Sequence, residues 1–454
     1  MFSAYINSFK IPELRQRILF TIGVIALVRV TSNIPCPGID AGALQELFEE
    51  VRQGAGGGVM NIVNIFSGGA MQRFAVAALG IMPFISASII MQMMTPVIPA
   101  LEKLRREGET GQQKINQYTR YLTVGICLVQ GTMFAKTMAN PSALPGISGG
   151  AQPVVNPGIG FIITTVIILT AGTMFLVWLG EQISEFGIGN GASLIIAINI
   201  VSRLPSAVGN MVNLVTSGGQ GSVGPNFTII HVFLLLAAFF AVCAGTVALT
   251  QGHRKIPVKH ARRSAGGGGS QAGQTSYLPL RVNYAGVMPI IFGSAIMIFP
   301  SVLFRYVDFA QGWARYLQWG DPLYVAIFAA LILGFAFFWV ANQFNPTKIA
   351  DDLQKRGGYV PGIRPGQPTA EFLDYTMTRI TTAGALCLVG IAILPMIMAN
   401  QVGIPRLVAQ FFGGTSLLIM VGVVLDTLRQ MEGHLLSRHY DGFLKKGRLR
   451  SRRG

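Results

Sequence analysis

Apolar runs of about 20 residues, each long enough to cross a bilayer, recur along the chain, separated by stretches rich in Lys, Arg, Gly and Pro. Ten spanning helices are expected, at 18–34, 74–96, 121–138, 158–180, 191–208, 227–251, 283–303, 322–344, 379–399 and 411–428. The pattern predicts an all-α polytopic membrane protein. Ten spans divide as five plus five. Because five is odd, the second half must enter the membrane from the side opposite to the first, an inverted arrangement associated with a pathway between the halves.

One stretch departs from simple alternation. Residues 60–95 open as a short amphipathic segment (Ile62, Val63, Ile65, Phe66), break at Gly68-Gly69, carry one charge at Arg73 and then turn apolar. Ile81 and Ile85 stand four apart there, on one face of the expected helix. Broken helices in membranes usually border a cavity, where freed backbone groups can be satisfied. The stretch therefore reads as the plug and one wall of a pore.

Composition agrees with the hydropathy pattern. Of 454 residues, 51% are hydrophobic and 12% charged, about half the charged share of a soluble domain, and mean hydropathy is +0.51. The polar N-terminal stretch 1–17 precedes the first apolar run, which is expected to be retained rather than cleaved as a leader. The net charge of +16 is explained by topology rather than by nucleic acid. With the N-terminus inside, most of the basic residues fall on the cytoplasmic side: residues 1–17, the second-to-third loop, the loops 252–282 and 345–378, and the tail 429–454. Both termini are expected to be cytoplasmic, with N-terminal and C-terminal halves at 18–208 and 227–428 joined by an external loop, 209–226.

The two long cytoplasmic loops exceed what a connector needs. One carries Arg254, Lys255, Lys259, Arg262 and Arg263, together with the linker-like run Gly266-Gly267-Gly268-Gly269-Ser270. In the other, Tyr359-Val360-Pro361-Gly362-Ile363-Arg364-Pro365-Gly366 uses proline and glycine turns to present Arg364 near its tip. Both read as docking elements for a cytosolic partner.

Catalytic motifs fail on context. The GxGxxG match at 219–224 and the GxSxG match at 146–150 lie in external loops, without the strand that either motif requires. There is no P-loop, so ATP hydrolysis is not expected. Cys36, Cys127, Cys243 and Cys387 are dispersed and read as free buried thiols, and no metal or cofactor is expected. His231, inside an apolar segment, reads as a packing residue. The fourth, eighth and ninth expected spans carry no ionisable side chain between their ends, which argues against an ion-coupled carrier. Arg29, near the outer end of the first span, is expected to snorkel or pair. A secondary transporter of small solutes is the alternative reading. An intramembrane enzyme would need paired catalytic groups at depth, and none is found.

Several stretches resemble the SecY family of protein-translocating channels over essentially the whole chain: FSGGAMQRFAVAALGIMPFISASIIMQ (66–92), INQYTRY (115–121), GTMFLVWLGEQISEFGIGNG (172–191), TSYLPLRVNYAGVMPIIFGSAIMIFP (275–300), FNPTKIADDLQKRGGYVPGIRPG (344–366) and FFGGTSLLIMVGVVLD (411–426). The resemblance implies an hourglass pore whose waist is a ring of Ile81, Ile85, Ala192, Ile196, Ile291 and Ile419. Ala192 stands where the family has isoleucine. Branched apolar side chains at a constriction dewet it and offer a passing chain no polar hold.

The resemblance also implies a plug at 61–71 (Asn61, Ile62, Ile65, Phe66, Ser67, Gly68, Gly69, Met71). It implies a lateral gate between the second and seventh spans (Ser86, Ile89, Gln92, Ser294, Ile298), opened by signal peptides and leading into the lipid bilayer. Docking is implied at Arg254, Lys255, Lys259, Arg262, Arg263 and Arg364. The implied function is passage of signal-bearing unfolded and nascent chains across the bacterial inner (plasma) membrane, without catalysis by this chain. The implied partners are SecE and SecG, the SecA ATPase, and the ribosome or the signal-recognition-particle receptor pathway.

Overall fold

The computed structural model describes residues 11–53, 64, 67–140, 152–216, 229–260, 276–294, 296–297, 320–401, 408–409 and 415–446. Asn61, Ile62, Ile65, Phe66, Arg262, Arg263 and Ile298 lie outside the described residues, as do the motif matches 146–150 and 219–224 and the run 266–270. The chain divides into two compact units, 1–209 with 423–454, and 210–422.

In the first unit, α1 (Pro12–Thr31) is followed by a short amphipathic helix, α2 (Ala41–Gln53), then α3 (Met82–Met94) and α4 (Pro99–Arg106). The long helices α5 (Glu109–Ala139) and α6 (Ile159–Phe186) precede α7 (Gly191–Val201). Leu44 and Leu47 of α2 join a core with Cys36, Phe74, Ala78, Met138, Val154 and Leu169. This core gathers α2, the strap at 74–78 and the ends of several helices into one apolar cluster. Pro96 and Pro99 explain the 95° bend between α3 and α4, since neither ring nitrogen can donate to a continuing helix.

α8 (Leu204–Thr216) begins in the first unit. The second unit contains α9 (Ile229–Gln251), strands β1 (His253–His260) and β2 (Ser276–Arg281), helical residues at 288–294 and 296–297, α10 (Pro322–Gln343), α11 (Pro346–Lys355), β3 (Gly358–Tyr359) and α12 (Gln367–Gln401). α13 (Thr415–Lys446) belongs to this unit up to Gly422 and to the first from Val423.

Among the described residues, six helices are long and apolar enough to cross a membrane, or seven if the bent α3–α4 pair counts as one. α1, with Glu13, Arg15, Arg17 and Arg29, is not among them. Large apolar side chains exposed on these helices, such as Ile163, Ile167, Phe233 and Phe240, are what lipid-facing positions require. The fold is that of an all-α polytopic membrane protein.

Three details correct the sequence reading. The second span does not start as helix at residue 74: residues 67–80 are turns, Phe74 and Gly80 adopt φ of 46° and 61°, and helix begins at Met82. A left-handed residue ends right-handed helical hydrogen bonding, and backbone partners elsewhere satisfy part of this strap. The Cys36 N–H donates to the Phe74 carbonyl at 2.9 Å and the Val76 N–H to the Ile34 carbonyl at 2.9 Å.

Strands occur at 253–260 and 276–281, where only a docking loop is expected. β1 pairs antiparallel with both β2 and β3, giving the order β2-β1-β3. Ile256 and Val258 point inward while Lys255, Pro257 and Lys259 point outward, the alternation of a half-buried strand. Ile256 and Leu280 pack with Val340, Phe344, Val360, Leu373 and Met377, which ties the sheet to the ends of α10 and α12.

The four cysteines are free, but only Cys36 and Cys127 are buried. Cys387 is exposed beside Leu386, on an outward face of α12, so the expectation of burial fails there. Burial pushes the Cys36 thiol up to about 12, which leaves it protonated and unreactive near neutrality.

Candidate functional site: a glycine turn held beside apolar helix ends

The expected plug reaches the described structure at its C-terminal end. Asn64 and Ser67 are buried there. Ser67 Oγ donates to the Asn64 carbonyl at 3.2 Å and accepts from the Met71 N–H at 3.3 Å. The Gly69 N–H donates to the Asn64 carbonyl at 3.1 Å. Gly68 and Gly69 take φ of 64° and 90°, a region open to glycine at no steric cost.

Two other elements reach this turn. Arg29 Nη1 of α1 donates to the Gly68 carbonyl at 3.3 Å. Ser202 Oγ, just past α7, makes a weaker 3.5 Å contact with the same carbonyl while donating to the Asn199 carbonyl at 2.7 Å. A Cβ on Gly68 would come within 2.7 Å of both Arg29 Nη1 and Asn199 Oδ1. Over Gly69 lies the Arg203 guanidinium, with Nε 3.5 Å from the corresponding Cβ position. Of the two expectations for Arg29, to snorkel or to pair, the structure shows pairing. Asn199, Ser202 and Arg203 were missed, although Asn199 interrupts the otherwise apolar run 194–201.

Beyond the turn the chain is pinned. Ala75 bridges Pro35, and Phe74, fully buried, stacks on Phe134 and Phe161 with ring centroids 5.1 and 6.4 Å away. Gly172 of α6 permits this approach, because a Cβ there would strike the Val76 carbonyl.

The apolar positions singled out from sequence fall as follows. Ile81 is the N-cap of α3 rather than an interior helical residue, and its carbonyl accepts from the Ile85 N–H at 3.1 Å. Ile89, four further on, continues the same face. Ala192 and Ile196 lie on the first turns of α7, which Asn190 caps by accepting from the Ser193 N–H at 3.2 Å. Ile81, Ile85 and Ile196 are buried and Ala192 is half-buried. α7 meets α6 so closely that a Cβ on Gly191 would collide with the Gly180 carbonyl. In the second unit Ile291 and Ile419 are also buried. Their segments touch one turn away, where Val287 comes within 2.8 Å of the Cβ position of Gly422.

Of the expected gate residues, Ser86 and Gln92 are half-buried and Ile89 is buried. Gln92 Nε2 donates to Ser88 Oγ at 3.2 Å. Ser294, in the second unit, is buried and donates to the Ile291 carbonyl at 2.9 Å. Of the expected docking residues, Arg254, Lys255, Lys259 and Arg364 are exposed. The Arg364 carbonyl accepts from Thr369 Oγ1 at 2.8 Å, which braces the turn that carries it. Among the described residues no cluster of His, Cys, Asp and Glu is arranged to hold a metal ion.

Residues 75–428 match the SecY protein family. The protein translocase subunit SecY of Escherichia coli K12 is 43% identical over 444 residues, covering 96% of this chain and 95% of that protein. Its counterpart in Chlamydia muridarum is 41% identical over 460 residues, covering 98% of each. Among solved structures, a protein-conducting channel aligns with a TM-score of 0.62 at 17% identity, covering 93% of both chains. A SecY structure, in which the plug domain stabilises the closed state of the translocation channel and maintains a membrane seal, aligns at 0.61 and 18%, also covering 93% of both. Sec61 from a canine ribosome–channel complex of the endoplasmic reticulum aligns at 0.58 and 16%, covering 93% of each. At these identities the structural likeness shows a shared fold.

Proposed function

The chain belongs to the SecY family, and from that membership we propose that it is the central protein-conducting channel of a general secretory pathway. It passes signal-bearing unfolded polypeptides across the membrane and releases apolar segments sideways into lipid. The observation that carries this reading is near-full-length similarity to translocase subunits, joined to a channel fold. The same observation favours the channel over the small-solute transporter. As a channel the chain is a conduit and not an enzyme.

The finer assignments follow from the same reading. Ile81, Ile85, Ala192, Ile196, Ile291 and Ile419 form the constriction. Residues 61–71 form a plug on its external side. Ser86, Ile89 and Gln92 face Ser294 and Ile298 across the lateral gate, where a signal peptide binds the open state better than the closed one and so shifts the equilibrium. Basic residues on the β1–β2 hairpin, with Arg364, dock an anionic partner: the ribosome, or the SecA motor that supplies the driving force. SecE and SecG accompany the chain in a bacterial plasma membrane, with both termini in the cytoplasm. What supports these assignments is placement. Arg254, Lys255, Lys259 and Arg364 are exposed, and every proposed ring isoleucine is buried.

The test is electrical. The chain is reconstituted with SecE and SecG in a planar bilayer, with and without residues 61–71. A silent intact channel and a transiently conducting deletion support the sealed-pore reading. Two silent channels, or a steady solute-coupled current through the intact one, overturn it.

A further inference from the structure

We infer that the three-stranded sheet is closed to strand addition by its prolines, so that an unfolded chain at the channel cannot pair with it. This rests on the channel reading above, which makes extended polypeptide the cargo.

The register fixes which backbone groups face outward. β1 and β2 pair antiparallel, with Ile256 opposite Leu278, Pro257 opposite Tyr277 and Lys255 opposite Pro279. Such ladders alternate between pairs that exchange hydrogen bonds and pairs that do not. The Val282 N–H donates to the Gly252 carbonyl at 2.9 Å, which puts the even-numbered residues in the bonded set. Pro257 and Pro279 both fall in the odd-numbered set, where a missing N–H leaves the β1–β2 ladder intact. The backbone groups of Tyr277, Pro279 and Arg281 therefore point to the far side of β2. Those of His253, Lys255, Pro257 and Lys259 point to the far side of β1.

Each of these edges is interrupted. The strand order β2-β1-β3 makes β2 an edge strand among the described residues, and an added strand would bond at 277, 279 and 281. Pro279, in the middle, has no N–H and sets its ring where the donor would stand. On the other side β3 covers β1 only at Lys259 and His260. Continuing that register would set Pro361 against Pro257, with no N–H on either residue. The chain instead turns at Gly362, with φ of 87°, and β3 ends after 2 residues.

The core does not call for these prolines. Pro257 and Pro279 are exposed, while Ile256 and Leu280 beside them supply the apolar packing. Proline is a poor strand former, so its use here fits a role at the edge rather than in the fold. The exposed Lys255 and Lys259 add charge to the same edge, a second guard against strand pairing. Unfolded cargo carries unpaired N–H and C=O groups of its own, and an open edge is what such a chain adds to. Cargo paired to the sheet would have to break those bonds before moving on.

The test compares the full chain with SecE and SecG as wild type, Pro257→Val, Pro279→Val and the double variant. The probe is a fluorescent, Thr-rich strand-forming peptide, with a copy methylated on every backbone nitrogen as the control. Binding is read by anisotropy in detergent, hairpin integrity by protease cleavage within 252–282, and transport of a secretory precursor in liposomes. Each single variant is expected to bind the plain peptide roughly tenfold more tightly than wild type, and the double variant more tightly still. The methylated copy should gain nothing, and precursor transport should slow in the same order as peptide binding rises. Unchanged peptide binding in all three variants, with the hairpin intact, overturns the inference, as does an equal gain for the methylated copy. If the wild type transports no precursor, the channel reading fails, and the peptide measurement still reports whether the edges are closed. Should Pro279→Val loosen the hairpin, Pro257→Val decides by the same binding comparison.

Discussion

Arg120 of α5 holds Glu181 of α6 at two points, Nε to Oε1 at 3.0 Å and Nη2 to Oε2 at 2.6 Å. The pair sits where two long helices, packed along much of their length, leave the expected cytoplasmic side of the bilayer. Two-point pairing fixes relative rotation as well as distance. Both side chains remain partly exposed, at 45% and 34%, so water and salt weaken the attraction. A coupling of about 0.2–1 kcal/mol is expected from a double-mutant cycle of Arg120→Ala and Glu181→Ala, read by thermal unfolding in detergent. It should shrink as salt rises, and the swap Arg120→Glu with Glu181→Arg should recover part of the loss. A coupling that does not respond to salt contradicts the assignment.

Close helix contact in this protein depends on single glycines, and neighbouring cases differ in sign. Gly191 lies against the Gly180 carbonyl with no room for a Cβ, and the obstacle is backbone that cannot rotate away. Gly191→Ala must push α7 off α6 and is expected to cost more than about 1 kcal/mol, read as a lower thermal midpoint or faster proteolysis. Gly125, in the middle of α5, has nothing within 4 Å of its Cβ position. Gly125→Ala should leave stability unchanged or raise it by up to about 1 kcal/mol through helix propensity. Equal effects at the two sites would show that the α6–α7 contact is looser than drawn.

Hydropathy made the long apolar helices legible because a membrane span needs length and little else. The eighth span shows this, expected at 322–344 and found as Pro322–Gln343. Strap and sheet were less legible. Phe74 looks helical by composition, and only its long-range partners, Phe134, Phe161 and Cys36, make a left-handed turn affordable at that point. The β1 alternation of Ile256 and Val258 with Lys255 and Lys259 was visible, but the charge of that loop drew the reading toward docking alone. From sequence Arg29 is expected either to snorkel or to pair. That the partner is a backbone carbonyl 39 residues away follows from folding and from no local pattern.

The sheet separates the proposed docking cations from the side chains that hold the hairpin to the core. Lys255 and Lys259 are exposed, whereas Ile256 between them is buried in the core with Leu280 and Phe344. Charge reversal at the two lysines and at Arg364 should therefore weaken ribosome binding to proteoliposomes at least tenfold at low salt, with a smaller difference at high salt. The resting seal should be unaffected. Ile256→Asp, which places an unpaired carboxylate in the core, should instead disorder the hairpin, read as protease cleavage within 252–282. If the reversals leave binding intact at all salt concentrations, the anionic partner docks elsewhere.

Ala192 is the smallest of the proposed ring residues and is half-buried, so the side chain has room to grow at the start of α7. Ile196, one turn on, is buried. A constriction seals by presenting apolar bulk to water, and dewetting is steep in the free diameter. Ala192→Ile should tighten the seal and Ile196→Ala should loosen it. Both are best read in the background lacking residues 61–71, where the ring alone opposes ion flow. Leak current should fall several-fold with Ala192→Ile, rise several-fold with Ile196→Ala, and return toward its starting value when the two are combined. The opposing signs matter, because general destabilisation of α7 would raise the leak in both variants. A rise in both would mean that these residues pack the helix without forming the constriction.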